Sequence, residues 1–272
     1  MGAYSVDNPS VISFSGGRTS AFMLRQVLDA HGGQLPDGCH VIFCNTGLEH
    51  SGTLRFIHEV AINWNVPIVW LEWRSGNQFA QVSYETASRK GEPFSALIRQ
   101  RSMLPNGRMR FCTQELKIRT TKRYCEDFLG LEDWQELIGL RYDEPRRVAN
   151  LANWPGSRNV YAPMYHAHHD LAHVRAFWSA SPFDLDIPSW AGNCVGCFLK
   201  RESTIRSVAE EMPTALDWWH AQESTPITRS DGFQRTARFA NDRPTYGEIL
   251  SSTQDQRQLF DIDDAMPCSC TD

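Results

Sequence analysis

At 272 residues and 41% apolar content, the chain can bury a sizeable core as one large domain, or as one domain with a smaller appendage. A net charge of -5 excludes a surface coated in positive charge for non-specific nucleic-acid binding and leaves room only for a local basic patch. No apolar run approaches the roughly 20 residues that span a bilayer; no membrane partner is expected.

The first residues lack the charged start and apolar stretch of a signal peptide, and Val6 stands where a myristoylation motif wants Ser or Thr. A cytoplasmic address is expected. In that setting eight cysteines read as metal, cluster or catalytic thiols in preference to disulfides.

Ser10 to Phe14 reads as a short buried strand, and Ala21, Phe22, Leu24, Val27 and Leu28 recur at helical spacing. Between them lies Ser15-Gly16-Gly17-Arg18-Thr19-Ser20. Glycines there let backbone N–H groups approach an anion, and the following helix adds its positive end. The turn lacks the GxxxxGK[ST] spacing of a Walker loop, and an ordinary helix N-cap is the competing reading. Strand and helix then alternate. His40 to Cys44 reads as a second strand, a helix follows from about Ser51, and Pro67 to Leu71 is a third strand. The segment from about 74 to 108 has poor periodicity and reads as an excursion over the active-site face.

A helix is expected near Thr113, with Arg110, Lys117 and Arg119 able to face an anionic substrate and Cys112 close to the helix start. Trp134 to Leu140 reads as a fourth strand, followed by Gly139-Leu140-Arg141-Tyr142-Asp143-Glu144-Pro145-Arg146-Arg147, and Tyr161 to Met164 as a fifth. An arginine at such a strand end can clamp phosphate or sulfate in bidentate fashion. His169 and His173 stand four apart on an expected helix, a weak metal signal against the commoner reading as loop or surface histidines. After Pro182 the composition changes, and Cys194-Val195-Gly196-Cys197 has the spacing to bring two thiolates onto one metal or cluster, or to form a redox pair. The chain closes on Cys268-Ser269-Cys270-Thr271-Asp272. With Cys112, Cys194 and Cys197, either Cys270 or Cys268 completes a four-thiolate set for a four-iron four-sulfur cluster, with structural zinc as the alternative. Cys39, Cys44 and Cys125 read as core, as do Trp218, Trp219 and Phe239.

Several of these motifs, in order, resemble those of the PP-loop ATP pyrophosphatases (the adenine nucleotide alpha hydrolase superfamily) and the related phosphoadenosine phosphosulfate (PAPS) reductases. SGGRTS is similar to their SGGxxS pyrophosphate loop; Thr46, Gly47, Glu49 and Thr53 match the turn and helix after their second strand. Arg110, Cys112 and Lys117 resemble their R-x-C-(C)-x-x-x-K segment, with Thr113 where iron–sulfur members carry an adjacent cysteine. Gly139, Arg141, Glu144 and Arg147 resemble their G-x-R-x-x-E-x-x-R loop, and NCVGCFLK with CSCTD resembles phage and bacterial members of the PAPS reductase family.

The resemblance implies a Rossmann-like α/β fold: a parallel five-stranded sheet between helices over residues 1–181, with a cysteine-bearing module over 182–272. It implies ATP with magnesium over Ser15, Gly16, Gly17, Arg18, Thr19 and Ser20, flanked by Thr46, Gly47, Glu49, Gly139, Arg141 and Arg147. Lys117 and Arg141 would then be catalytic in an adenylation that releases pyrophosphate and is coupled to sulfur transfer onto a nucleobase or nucleic acid. The alternative is a PAPS or adenylylsulfate reductase that releases sulfite, with Cys270 as nucleophile; its known tails are of E-C-G-L-H type. A nonenzymatic nucleotide or redox sensor is the third reading. Expected partners are an adenine nucleotide, a nucleic-acid or nucleobase acceptor, a sulfur or electron donor protein and, as a homodimer, a second copy of the chain.

Overall fold

Residues 2–151, 159–228, 232 and 234–253 are described by the computed structural model. Six strands, β1 (Ser10–Ser13), β2 (Cys39–Cys44), β3 (Ile68–Arg74), β4 (Gln78–Val82), β5 (Gln135–Leu137) and β6 (Asn159–Tyr161), form one sheet in the order β4-β3-β2-β1-β5-β6. All neighbours are parallel except β3 and β4. The fold is therefore mixed α/β with a mostly parallel central sheet, Rossmann-like in outline.

Apolar side chains lie on both faces of the inner strands, as parallel sheets covered on both sides require. On one face Ile12, Phe43 and Leu137 pack with Phe22 and Leu24 of α1 (Arg18–Ala30) and Leu54 and Ile57 of α2 (Ser51–Asn63). Val174 and Trp178, from the helix Leu171–Ser179, complete that layer. On the other face Val11, Ile42 and Leu71 meet Tyr124 and Cys125. Those two belong to a helical run over 111–128 in which π turns, Gln114–Arg119 and Tyr124–Phe128, interrupt α turns. The Thr120 hydroxyl donates to the Glu115 carbonyl at 2.8 Å and so intrudes on the helix ladder there.

Among the described residues the central sheet has six strands in place of the five expected. The extra one, β4, pairs antiparallel with β3 through a tight turn in which Gly76 (φ 75°) and Asn77 (φ 60°) both take left-handed backbone. The segment read as an irregular excursion thus holds an edge strand and α3 (Glu92–Arg101). The last strand ends at Tyr161 instead of running to Met164, because Pro163 opens a helical turn, Pro163–His166. Proline's fixed φ suits a first helical turn, and its missing N–H is no loss there.

Residues after 182 contribute Trp190, Phe198, Trp219, Phe239 and Tyr246 to a core shared with Trp73, Phe94 and Leu116. Among the described residues no helix is long and apolar enough to cross a membrane.

Candidate functional site

Sheet order locates the site. From β1 the chain moves outward through β2, β3 and β4, then returns to place β5 and β6 on the other side of β1. The carboxyl ends of β1 and β5 therefore diverge at a topological switch point, where open α/β sheets hold ligands. The SGGRTS turn leaves β1 at that point, and Gly139 to Arg147 leave β5 beside it.

Gly16 has φ 76°, and a Cβ on it would stand 2.7 Å from Ile57 Cδ1 and 2.9 Å from Thr53 Cγ2. Only glycine meets both conditions. Gly17 is the N-cap of α1 with extended backbone and no side-chain cap, so the turn has the form of an anion cradle at a helix start. Ser15 Oγ and Ser20 Oγ lie 3.0 Å apart. Thr53 Oγ1, at the start of α2, is buried with no hydrogen-bond partner among the described residues. Arg18 differs from its neighbours: its guanidinium pairs with Asp184 at 2.7 Å and with the Leu185 carbonyl at 2.7 Å. Its side chain straps α1 to the 184–185 segment, leaving its backbone to the turn.

Gly139 brings the β5 exit against α1, since a Cβ there would lie 3.3 Å from Ser20 Cα. Two residues on, the buried Arg141 donates from Nη1 to Thr19 Oγ1 at 3.5 Å, so the arginine loop and the glycine turn touch. Asp143 accepts from Arg141 Nε at 2.9 Å, and Glu144 pairs with both Arg141 and Arg147. Arg141, Asp143, Glu144 and Arg147 form one network that holds Arg141.

The turn after β2 is closed on itself. Glu49 accepts from Thr46 N at 3.1 Å, Thr46 Oγ1 at 2.8 Å and Leu48 N at 3.1 Å. Gly47 (φ 81°) donates to Asn45 Oδ1 at 3.1 Å, while its carbonyl accepts from Gly91 N at 2.9 Å. Behind it the fully buried Glu72 accepts from Asn45 Nδ2 and Ser88 N, each at 2.6 Å, and from Ser88 Oγ at 2.8 Å.

Onto this turn docks the Cys194-Val195-Gly196-Cys197 segment. Cys194 Sγ lies 3.3 Å from Thr46 Oγ1, Glu49 and Cys194 form a β-bridge, and Val195 N donates to the Leu48 carbonyl at 3.0 Å. Both cysteines are buried. The buried Lys200 ammonium donates to the Val195 carbonyl at 2.9 Å and to that of Trp190. Tyr246 OH donates to the Gly196 carbonyl at 2.6 Å, and Arg243 ties Tyr246 to the Lys200 carbonyl. Trp219 presents the Nε1 edge of its indole to Gly196, and that N–H is buried without a partner among the described residues.

Cys112 is half-buried against the same core. Among the described residues, no three His, Cys, Asp or Glu side chains form a group able to hold a metal ion. Cys268 and Cys270 lie outside the described residues. The rings of His169 and His173 lie 4.9 Å apart; His169 bonds to Tyr4 OH at 2.7 Å, and His173 shares a capping box with Asp170.

The helical run 111–128 packs over β2, β3 and β4, with Thr121 beside Cys44. Its Arg119 pairs with the buried Glu115 at 2.7 Å, and Arg101 and Arg123 pair with the same carboxylate. Lys117 lies near Cys44. Burial pushes the Cys44 thiol up to about 11, against a hydrogen bond from Thr121 and the Lys117 charge, which pull it down. A raised thiol pKa stabilises the fold while both states are protonated, and that stability is lost as pH rises from the ordinary thiol range through about 11. Native protein is therefore expected to protect Cys44 from iodoacetamide at neutral pH, and urea-unfolded protein to expose it; mass spectrometry after brief labelling reads the difference. Rapid native alkylation of Cys44 would contradict the burial.

Lys200, Tyr246, Glu72 and Trp219 are the residues that sequence reasoning missed. Lys200 follows Cys197 by three positions, and Glu72 interrupts an otherwise apolar strand, IVWLEWR; both signals were present. Tyr246 and Trp219 carried none beyond their aromatic bulk.

No family model matches the chain. It is 32% identical over 205 residues to the uncharacterized nin region protein ORF290 of Escherichia phage lambda, a match covering 72% of this chain and 68% of that protein. Identity of that extent across most of both chains places this chain in the family of the phage lambda nin region protein ORF290.

Proposed function

We propose that the chain is a PP-loop nucleotide-binding enzyme of PAPS reductase type that adenylates an acceptor with ATP and couples the step to sulfur transfer. One observation carries the reading: at the switch point the uncapped Gly16-Gly17 turn meets Arg141, through Thr19. Backbone N–H groups of Ser15 to Ser20 hold the pyrophosphate portion of ATP with its magnesium, and Thr46, Gly47 and Glu49 border the nucleotide. An acceptor oxygen attacks the α-phosphorus, the bond to pyrophosphate breaks, and pyrophosphate leaves with the electron pair. A sulfur nucleophile then forms its bond to the activated carbon, and AMP departs with the acceptor's oxygen. Arg141, Arg147 and Lys117 stabilise the charge that develops on the phosphoryl oxygens, the largest contribution in reactions of this kind. The acceptor is a nucleobase or nucleic acid.

Cys194 and Cys197, with Cys112 and either Cys270 or Cys268, would hold a four-iron four-sulfur cluster, or zinc. The Trp219 N–H beside Gly196, unpartnered among the described residues, the Thr46 hydroxyl at 3.3 Å from Cys194 and the buried Lys200 ammonium fit an anionic thiolate-bound group. When bound, the cluster supplies a site for sulfur or for electrons. The contact between the Cys194 turn and the Thr46 turn also favours a second reading, a reductase in which a thiolate bonds to the sulfate sulfur of PAPS as the S–O bond breaks and the adenosine bisphosphate leaves, and a second thiol then displaces sulfite to leave a disulfide.

ATP-dependent pyrophosphate release by anaerobically purified protein tests the first reading; sulfite release from PAPS, with no pyrophosphate from ATP, would replace it with the second. Cys194→Ser is expected to abolish visible-range iron–sulfur absorbance of the anaerobic protein. Unchanged absorbance removes Cys194 from the ligand set.

A further inference from the structure

Directly after Arg141 the surface changes character. Tyr142 is 46% exposed, and its ring centre lies 4.5 Å from that of His168 and 5.6 Å from that of Tyr165. Tyr165 in turn meets His166 edge-on at 5.9 Å. His166 and His168 are exposed, and His168 takes left-handed backbone (φ 58°), an uncommon conformation for a residue with a Cβ. The Tyr142 amide donates to the His169 carbonyl at 2.9 Å, fixing the tyrosine to this aromatic surface.

These rings are amphipathic, with polar atoms at their edges. Four residues after Tyr142, Arg146 is exposed. The neighbouring acids are already matched: Asp143 by Arg141, and Glu144 by Arg141 and Arg147. A patch of exposed rings, in which Tyr142 leans on His168 and Tyr165 and His166 stacks on Tyr161 at 4.9 Å, with an exposed arginine nearby in the chain, is in a protein of net charge -5 the local surface that suits stacked bases joined by phosphates.

We propose that Tyr142, Tyr165, His166 and His168 form a stacking platform for single-stranded nucleic acid and that this strand is the acceptor. The inference rests on the nucleotide-site reading, because only the adjacency of Tyr142 to Arg141 brings a stacked base close to the glycine turn. Single strands are favoured over duplex because a base must leave its stack to lie against an exposed ring.

The test is fluorescence anisotropy with labelled mixed-sequence oligonucleotides, DNA and RNA, each single-stranded and as duplex, on the full chain prepared anaerobically. Wild-type protein is expected to prefer a single strand. Tyr142→Ala is expected to weaken that binding about tenfold or more, and Tyr142→Trp to retain it. Calorimetric ATP binding on the same samples reports whether each variant is folded with an intact nucleotide site. Failure of wild-type protein to bind either single strand, or equal binding by a folded Tyr142→Ala variant, overturns the platform. If ATP still binds in that case, the nucleotide reading stands; if ATP fails to bind while Tyr142-dependent strand binding persists, the nucleotide reading fails and the platform stands alone.

Discussion

Gly16→Ala is expected to destabilise the fold and abolish nucleotide binding together. Left-handed backbone costs a residue with a Cβ about 1–2 kcal/mol. The new methyl group would meet Ile57 Cδ1 at 2.7 Å and Thr53 Cγ2 at 2.9 Å, and both belong to α2, which is packed into the main core. Overpacking of that kind costs about 1–3 kcal/mol more. The strain is relieved by moving the turn away from α2, which also misaligns its N–H groups. Urea denaturation and ATP titration of the same variant check both halves. A variant as stable as wild type would mean that the turn is not pinned as described; a destabilised one that still binds ATP normally would separate the turn from the nucleotide.

Glu72→Ala is expected to be at least as damaging, by another route. Removing this carboxylate leaves the Asn45 amide and the Ser88 N–H without their acceptor in a buried site, and takes away the partner of Arg74. Breaking a buried charged network in this way costs about 3–5 kcal/mol. The effect reaches the site because Asn45 also accepts from Gly47 N, and Gly47 is bonded to Gly91 at the start of α3. A lowered denaturation midpoint and weakened nucleotide binding are predicted for Glu72→Ala. Glu72→Gln keeps the side chain's shape and one carbonyl acceptor, and should fall between. Wild-type stability in Glu72→Ala would show that the network contributes little.

What the sequence disclosed divides along physical lines. Local requirements were legible: Gly16 and Gly47 both sit at positive φ, and the apolar runs of β1, β2 and β3 lie where continuous hydrophobicity put them. The strand at Gln78–Val82 was not, because a half-exposed edge strand with glutamines at both faces has neither clear alternation nor an apolar run. The pairing of Arg119 with Glu115 is not legible locally, because Glu115 is buried by packing that also brings Arg101 across from α3. Thr46 and Cys194 are 148 residues apart, so nothing local announces their contact. The spacing of Cys194 and Cys197 marked the turn; its holding by Lys200, Arg243 and Tyr246 depends on tertiary packing.

The proposed function turns on the segment from Ser15 to Ser20 binding the phosphates of an adenine nucleotide. The most direct measurement is an anaerobic calorimetric titration of the full chain with ATP plus magnesium, with PAPS in a matched run and Gly16→Ala as control. Saturable binding of ATP, tighter than that of PAPS and lost in Gly16→Ala, is the predicted result. Binding of neither nucleotide by the wild-type chain would contradict it.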